Sequence, residues 1–154
     1  SPFNAFLILQ GIQTLHLRMD RHTENALHVA RYLEDHKHIN WVNYGGLIGS
    51  PYYDLAKKYT NSRPSGILSF GIKGGKEAGI KFIDSLELVV RLVNIGDTKS
   101  LATHPASTTH SQLDEGDYEA AGITDDMVRI SVGIENKHDI TGDIEQALIS
   151  SQKA

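Results

Sequence analysis

The chain has 154 residues, 40% of them hydrophobic and 22% charged, which is one globular domain and excludes disorder, collagen and coiled coil. Its formal charge of −4 leaves no basic field for nucleic acid or anionic lipid. The absence of cysteine removes disulfides, thiolate nucleophiles and Cys-ligated metals.

A chain of this length buries about 68–70% of its unfolded surface, so it needs no metal or disulfide staple. No apolar run approaches the roughly 20 residues of a membrane helix. No charged segment with a cleavage site precedes the apolar patch at residues 6–9, so no signal peptide is read. The chain opens on Ser1-Pro2 without an initiator methionine, and it is expected to be a piece of something longer.

The elements follow in chain order. The apolar stretch 3–12 reads as a first helix, with Gly11 as a kink or break. Its Phe3, Phe6, Leu7 and Leu9 carry more apolar surface than a small domain easily covers, so self-association or a partner is expected there. Residues 15–33 read as a helix, because Leu15, Met19, His22, Ala26, Val29, Ala30 and Leu33 share one face. Residues 39–44 read as a short strand ended by Gly45-Gly46. Ser50-Pro51 reads as an N-cap and first helical position, opening a short helix to Tyr59.

Residues 67–72 alternate Leu68, Phe70 and Ile72 with Ser69 and Gly71, a second strand. After Gly74-Gly75, residues Gly79, Phe82, Ile83 and Leu86 share a helical face. Residues 88–93 read as a third strand, and 96–122 as mostly loop with one helical turn near 118–121. The clearest strand follows: Val128, Ile130, Val132 and Ile134 point one way, and Arg129, Ser131, Gly133 and Glu135 the other. In 140–149 a last helix aligns Ile140, Ile144, Ala147 and Leu148. The sum is a single α+β domain over residues 1–154: an antiparallel sheet of three to four strands, covered by helices on one side.

Most local motifs are structural. Gly71 to Lys76 fails the phosphate-loop spacing, and Glu77 stands where Ser or Thr would bind magnesium. A strand-to-helix turn with positive φ accounts for its glycines. The eight histidines (16, 22, 28, 36, 38, 104, 110, 138) form no HExxH and no i, i+4 pair, and read as solvated or capping residues; no metal site is expected. Ser69 lies inside a strand and off the nucleophile-elbow spacing. Arg129 is different. It sits on the polar side of an otherwise apolar strand, and if that side is covered it needs an anion. The anion is either an internal carboxylate or the carboxylate of a substrate, gripped by the guanidinium fork. The polar stretch 94–110 is a long loop of the kind that usually has a task.

Three blocks carry a resemblance: SPFNAFLILQGIQTLHLRMDRH at 1–22, NIGDTKSLATHPASTTH at 94–110 and VRISVGIE at 128–135. In that order and spacing, over essentially the whole chain, they resemble the C-terminal domain of the Cys/Met-metabolism family of pyridoxal-phosphate enzymes. WVNYGGL at 41–47 and ILSFGIKGG at 67–75 resemble its O-acetylhomoserine sulfhydrylase branch.

The resemblance implies the small C-terminal domain of a fold-type I pyridoxal-phosphate enzyme, with the cofactor-binding large domain upstream. It makes Arg129 the residue that binds the substrate α-carboxylate, and it places Asn94 and Thr109 in the same pocket. Asn94 heads a block that begins with Ser in cystathionine-type relatives. His104 and Pro105 shape the loop. The Schiff-base lysine has no counterpart among Lys57, Lys58, Lys73, Lys76, Lys81 and Lys99, and no catalytic or cofactor-binding residue is expected in the chain. The implied parent is a cytoplasmic transferase of methionine biosynthesis, homotetrameric in the family, which takes O-acetylhomoserine and sulfide or a thiol; the chain alone is expected to be inactive. The alternatives are a cystathionine synthase or lyase, a methionine γ-lyase, or a non-catalytic binding or interaction domain.

Overall fold

The computed structural model describes residues 1–112 and 115–153. Helix α1 (Pro2–Gln13) is capped by the Ser1 hydroxyl, which accepts from the Asn4 N–H at 3.3 Å, with proline in the first turn. It runs straight through Gly11, around which a Cβ would meet nothing within 4 Å, and stops at Thr14. The expected break at Gly11 is therefore displaced to Thr14: a solvated glycine weakens a helix without ending it. No residue of α1 is buried, and Phe3 is 66% exposed.

Helix α2 (Leu15–Glu34) buries His22, Ala26, Val29, Ala30 and Leu33 as its periodicity requires. Its first turns lie beyond the core, and Leu15 and Met19 remain exposed. Strand β1 (Ile39–Asn43) follows. Helix α3 (Tyr53–Thr60) begins later than Ser50-Pro51 predicts. Ser50 accepts from the Tyr52 N–H with its hydroxyl and from the Tyr53 N–H with its carbonyl, so it caps a turn before the helix.

Strand β2 (Ile67–Ile72) turns into α4 (Gly75–Asp84) through Gly74 and Gly75, both at positive φ (102° and 65°), as the strand-to-helix turn requires. The next strands are β3 (Val90–Arg91) and β4 (Leu101–Thr103). A 3₁₀ turn (Pro105–Ser107) and α5 (Glu115–Ala120) lead to β5 (Met127–Ser131) and α6 (Lys137–Ser151).

Among the described residues the sheet has five strands, in the order β1-β2-β5-β4-β3. The first three pairings are antiparallel and β3–β4 is parallel, which corrects the expected three- to four-stranded, wholly antiparallel sheet. The added strand, β4, lies inside the stretch read as loop. The expected strand 88–93 keeps only Val90 and Arg91.

Helices α2, α4 and α6 cover one side of the sheet, as expected. Leu68, Phe70 and Ile72 of β2 and Val128 and Ile130 of β5 point into them, with Phe82, Ile140, Ile144 and Leu148 opposite. The Phe70 and Phe82 rings meet edge to face at 5.8 Å. Each such fully buried side chain contributes roughly 1.5–3 kcal/mol. His22 and His104 are buried, not solvated. The His22 Nδ1–H donates to the Val132 carbonyl at 2.6 Å.

A polar clasp joins the end of α2 to α6. Tyr32 donates to the Glu145 carboxylate, and His36 Nε2 lies 2.8 Å from the same group. The Tyr32 hydrogen bond first, then His36, hold the Glu145 carboxyl below its ordinary value of 4.5, against the opposing effect of partial burial. Burial and that carboxylate push the Tyr32 phenol up. A carboxyl depressed on folding stabilises the fold above its unfolded value, and the contribution is lost as pH falls through the depressed value. Glu145→Gln is expected to lower stability at neutral pH, with the gap to wild type closing as the pH drops below 4.5. Denaturant unfolding at a series of pH values checks this.

Candidate functional site

The strand that carries Arg129 decides where its side chain goes. Val128 and Ile130 are fully buried under the helices, so period two puts Arg129 on the other face. The core helices α2, α4 and α6 lie on the opposite face, and on this one Ile67, Ser69, Met127 and Arg129 are half-buried, while Ser131, Leu101 and Thr103 are buried. Register lines up one polar row across four strands: Asn43 of β1 pairs with Ser69 of β2, Ser69 with Arg129 of β5, and Arg129 with Thr103 of β4. Arg129 walls a hollow of about 290 Å³ together with Asn43, Gly45, Ser69, Ile67 and Met127.

Among the described residues the Arg129 guanidinium takes part in no ion pair. Among the described residues no carboxylate pairs with it to make it a structural residue. A half-buried cation beside a small hollow, with a hydroxyl and a side-chain amide in the same row, offers donors that suit a small carboxylate.

The two other expected residues flank this row without lining the hollow. Asn94 is exposed in the loop after β3, and its Oδ1 accepts from the Ile95 N–H at 2.8 Å. Two residues on, the Gly96 N–H lies 3.4 Å from the hydroxyl of Ser131, the same-face neighbour of Arg129. Thr109 is exposed, and its hydroxyl bonds to His110 Nδ1 at 2.8 Å. Its neighbour Thr108 meets the Thr103 hydroxyl at 3.0 Å, beside Arg129's cross-strand partner. The site is thus one central arginine with a loop on either side, and the three side chains form no single enclosed pocket here.

His104 is buried in the loop's foundation. Its Nε2 donates to the Asp125 carbonyl at 2.8 Å and its Nδ1 faces the Ser107 hydroxyl at 2.9 Å. A Cβ at Gly79 of α4 would sit 2.5 Å from that ring, so the glycine makes room for the imidazole. Tyr44, beside the hollow, donates to the Ser65 carbonyl at 2.8 Å; burial pushes its phenol up to about 12. Sequence reasoning weighed Ser69 only as a nucleophile and passed over Asn43, because a polar residue in a strand is unremarkable until register sets it beside an arginine.

The family model for Cys/Met metabolism PLP-dependent enzymes matches residues 1–149. The chain belongs to this family. Among curated relatives, the O-acetyl-L-homoserine sulfhydrylase of Leptospira meyeri is 56% identical over 149 residues, covering 96% of this chain and 34% of its own. A Campylobacter jejuni protein described as an O-acetylhomoserine (thiol)-lyase, whose crystal structure holds N′-pyridoxyl-lysine-5′-monophosphate, superposes with a TM-score of 0.90 at 44% identity, over 97% of this chain and 36% of that one. Cystathionine gamma-lyase from yeast superposes with a TM-score of 0.93 at 41% identity, over 99% of this chain and 39% of that one. The chain spans about a third of the length of the curated relatives it matches.

The family's cofactor is pyridoxal phosphate. A covalent host for it would have to be a lysine, and no lysine lines the hollow beside Arg129. Lys57, Lys58, Lys73, Lys76, Lys81 and Lys99 are all exposed.

An arginine without an internal partner contributes little to folding. Arg129→Ala is expected to change the unfolding free energy by no more than about 0.5 kcal/mol, whereas an arginine in a buried internal ion pair would cost about 3–5 kcal/mol. Urea unfolding of the variant against wild type checks this.

Proposed function

We propose that this chain is the carboxylate-binding small domain of a longer pyridoxal-phosphate-dependent sulfhydrylase. That enzyme converts O-acetylhomoserine and sulfide, or a small thiol, to homocysteine or its homologue and acetate. The observation that carries the reading is Arg129, half-buried on the face of the sheet away from the core helices and without an ion-pair partner among the described residues. The 56% identity to an O-acetyl-L-homoserine sulfhydrylase supports the branch.

In this reading the Arg129 fork takes both oxygens of the amino-acid carboxylate in parallel hydrogen bonds. Asn94 and Thr109 close on that carboxylate from the two loops. The three residues bind and orient, and none exchanges a proton with the substrate. Holding the carboxylate fixes the Cα substituents in space, which is a positioning contribution. The cofactor and its lysine belong to the longer enzyme, so the chain alone is inactive. The uncovered apolar side chains of α1 fit burial against the rest of that enzyme.

The similarity to a cystathionine gamma-lyase favours one second reading, the same domain in a lyase of this family. The longer enzyme, assayed on O-acetylhomoserine, separates the two. Homocysteine formed with sulfide as donor supports the sulfhydrylase. Elimination without any donor marks the lyase, and turnover with cysteine as the preferred donor marks a cystathionine synthase. Arg129→Ala is expected to raise KM for the amino acid about 10- to 100-fold, with a much smaller effect on the donor's KM. An unchanged KM refutes the carboxylate assignment.

A further inference from the structure

A buried carboxylate is costly unless hydrogen bonds satisfy it. Asp143 is 7% exposed on α6, between the core residues Ile140 and Ile144. Among the described residues it pairs with no cation. Instead its Oδ1 accepts from the Glu87 N–H at 2.9 Å, and its Oδ2 accepts from the N–H groups of Leu88 and Val89 at 3.0 and 2.8 Å. Gln146, one turn further along α6, donates from Nε2 to Asp143 Oδ1 at 2.9 Å and to the Ser85 carbonyl at 2.6 Å. One helix face thus grips the backbone of residues 85–89, just before β3.

The far end of the same excursion is held by a second carboxylate. Glu135 accepts from the Ser100 N–H at 2.6 Å and from the Ser100 hydroxyl at 2.9 Å. The Ser100 hydroxyl oxygen accepts in turn from the Gly133 N–H at 2.8 Å. A Cβ at Gly133 would lie 2.3 Å from Glu135 Oε2 and 2.4 Å from the Thr98 carbonyl, so only glycine allows this closeness. Between the two posts runs the loop that carries Asn94. Strand β3 has two residues and one neighbour, so the sheet itself does little to hold its register. Three successive amides on one carboxylate do that work: they set the peptide planes at residues 87–89 and with them the direction in which the chain leaves for Asn94.

We propose that Asp143 is a positioning residue. With Glu135 at the other end, it sets the placement of loop 92–99 over the face of the sheet away from the core helices, and so holds Asn94 for the carboxylate that Arg129 takes. The inference rests on the carboxylate reading of Arg129 and Asn94. Misplacing a binding group by an ångström is enough to weaken its contact, even from a residue that never touches the ligand.

The test uses the longer enzyme with its cofactor. Asp143→Asn keeps the shape but replaces one acceptor oxygen with an NH₂ group, so at least one of the three amides loses its partner. KM for the amino acid is expected to rise about fivefold, with kcat and the donor's KM within about twofold. Amide hydrogen exchange is expected to quicken across residues 87–96 and to stay unchanged in β1 and β2. Asn94→Gly should raise the same KM, and the double variant should be no worse than Asn94→Gly alone, because both act through one loop. Fully additive effects, or unchanged exchange in the loop, overturn the proposal. If Asp143→Asn yields no folded enzyme, Glu135→Gln must show the same split between KM and kcat in smaller measure, and an unchanged KM there overturns it. Arg129→Ala keeps the two readings apart. An unchanged KM in that variant removes the carboxylate reading itself. A raised KM there with an unchanged one in Asp143→Asn removes the positioning role alone.

Discussion

The antiparallel pairing of β2 with β5 is the constraint on which the rest of the structure depends. It stacks Leu68 on Ile130 and Phe70 on Val128, and these four side chains form the floor on which α2, α4 and α6 rest. The same pairing leaves Ser69 and Arg129 no choice of face. A slip by one residue would drive the guanidinium into the apolar core and put Val128 and Ile130 in water, at a loss of several kcal/mol. The energy that builds the core is therefore also the energy that presents Arg129.

What surrounds Arg129 is arranged by polar chemistry of a different kind. Apolar packing is non-directional and cannot aim a loop. The directional work falls to side-chain hydrogen bonds: the carboxylates of Asp143 before β3 and Glu135 at Ser100 accept backbone amides, and the Thr103 and Thr108 hydroxyls pair beside the 3₁₀ turn. Asn25 does complementary work as a donor: its Nδ2 bonds to the carbonyls of Gly133 and Glu135 and ties α2 to the segment after β5. The sheet supplies the cation, and these groups set the loops on either side of it.

Much of this was legible in the sequence. The period-two pattern of 128–134 predicts β5 and the outward face of Arg129, and the stripes on α2 and α6 are read correctly because their apolar residues recur every three or four positions. Strand β4 is invisible for a physical reason. Leu101, Ala102 and Thr103 are too few to show a period, and they are a strand only because β5 and β3 pair with them. Parallel pairing leaves no local mark either, since it depends on where the chain returns. Arg129 stood out in the strand pattern. Asn94 and Thr109 came from family resemblance alone, and their exposed, locally bonded side chains show why spacing could not have found them. Asp143 left a faint signal that was passed over: an acid flanked at 140, 144 and 147 by the apolar face of a helix is buried, and needs partners.

The most direct measurement is a crystal structure of the longer enzyme with its amino-acid substrate or an unreactive analogue bound. The account predicts both oxygens of the ligand carboxylate on the Arg129 guanidinium at about 2.7–2.9 Å, on the face of the sheet away from the core helices. A ligand carboxylate bound elsewhere, with Arg129 paired to an Asp or Glu of the protein, would contradict it.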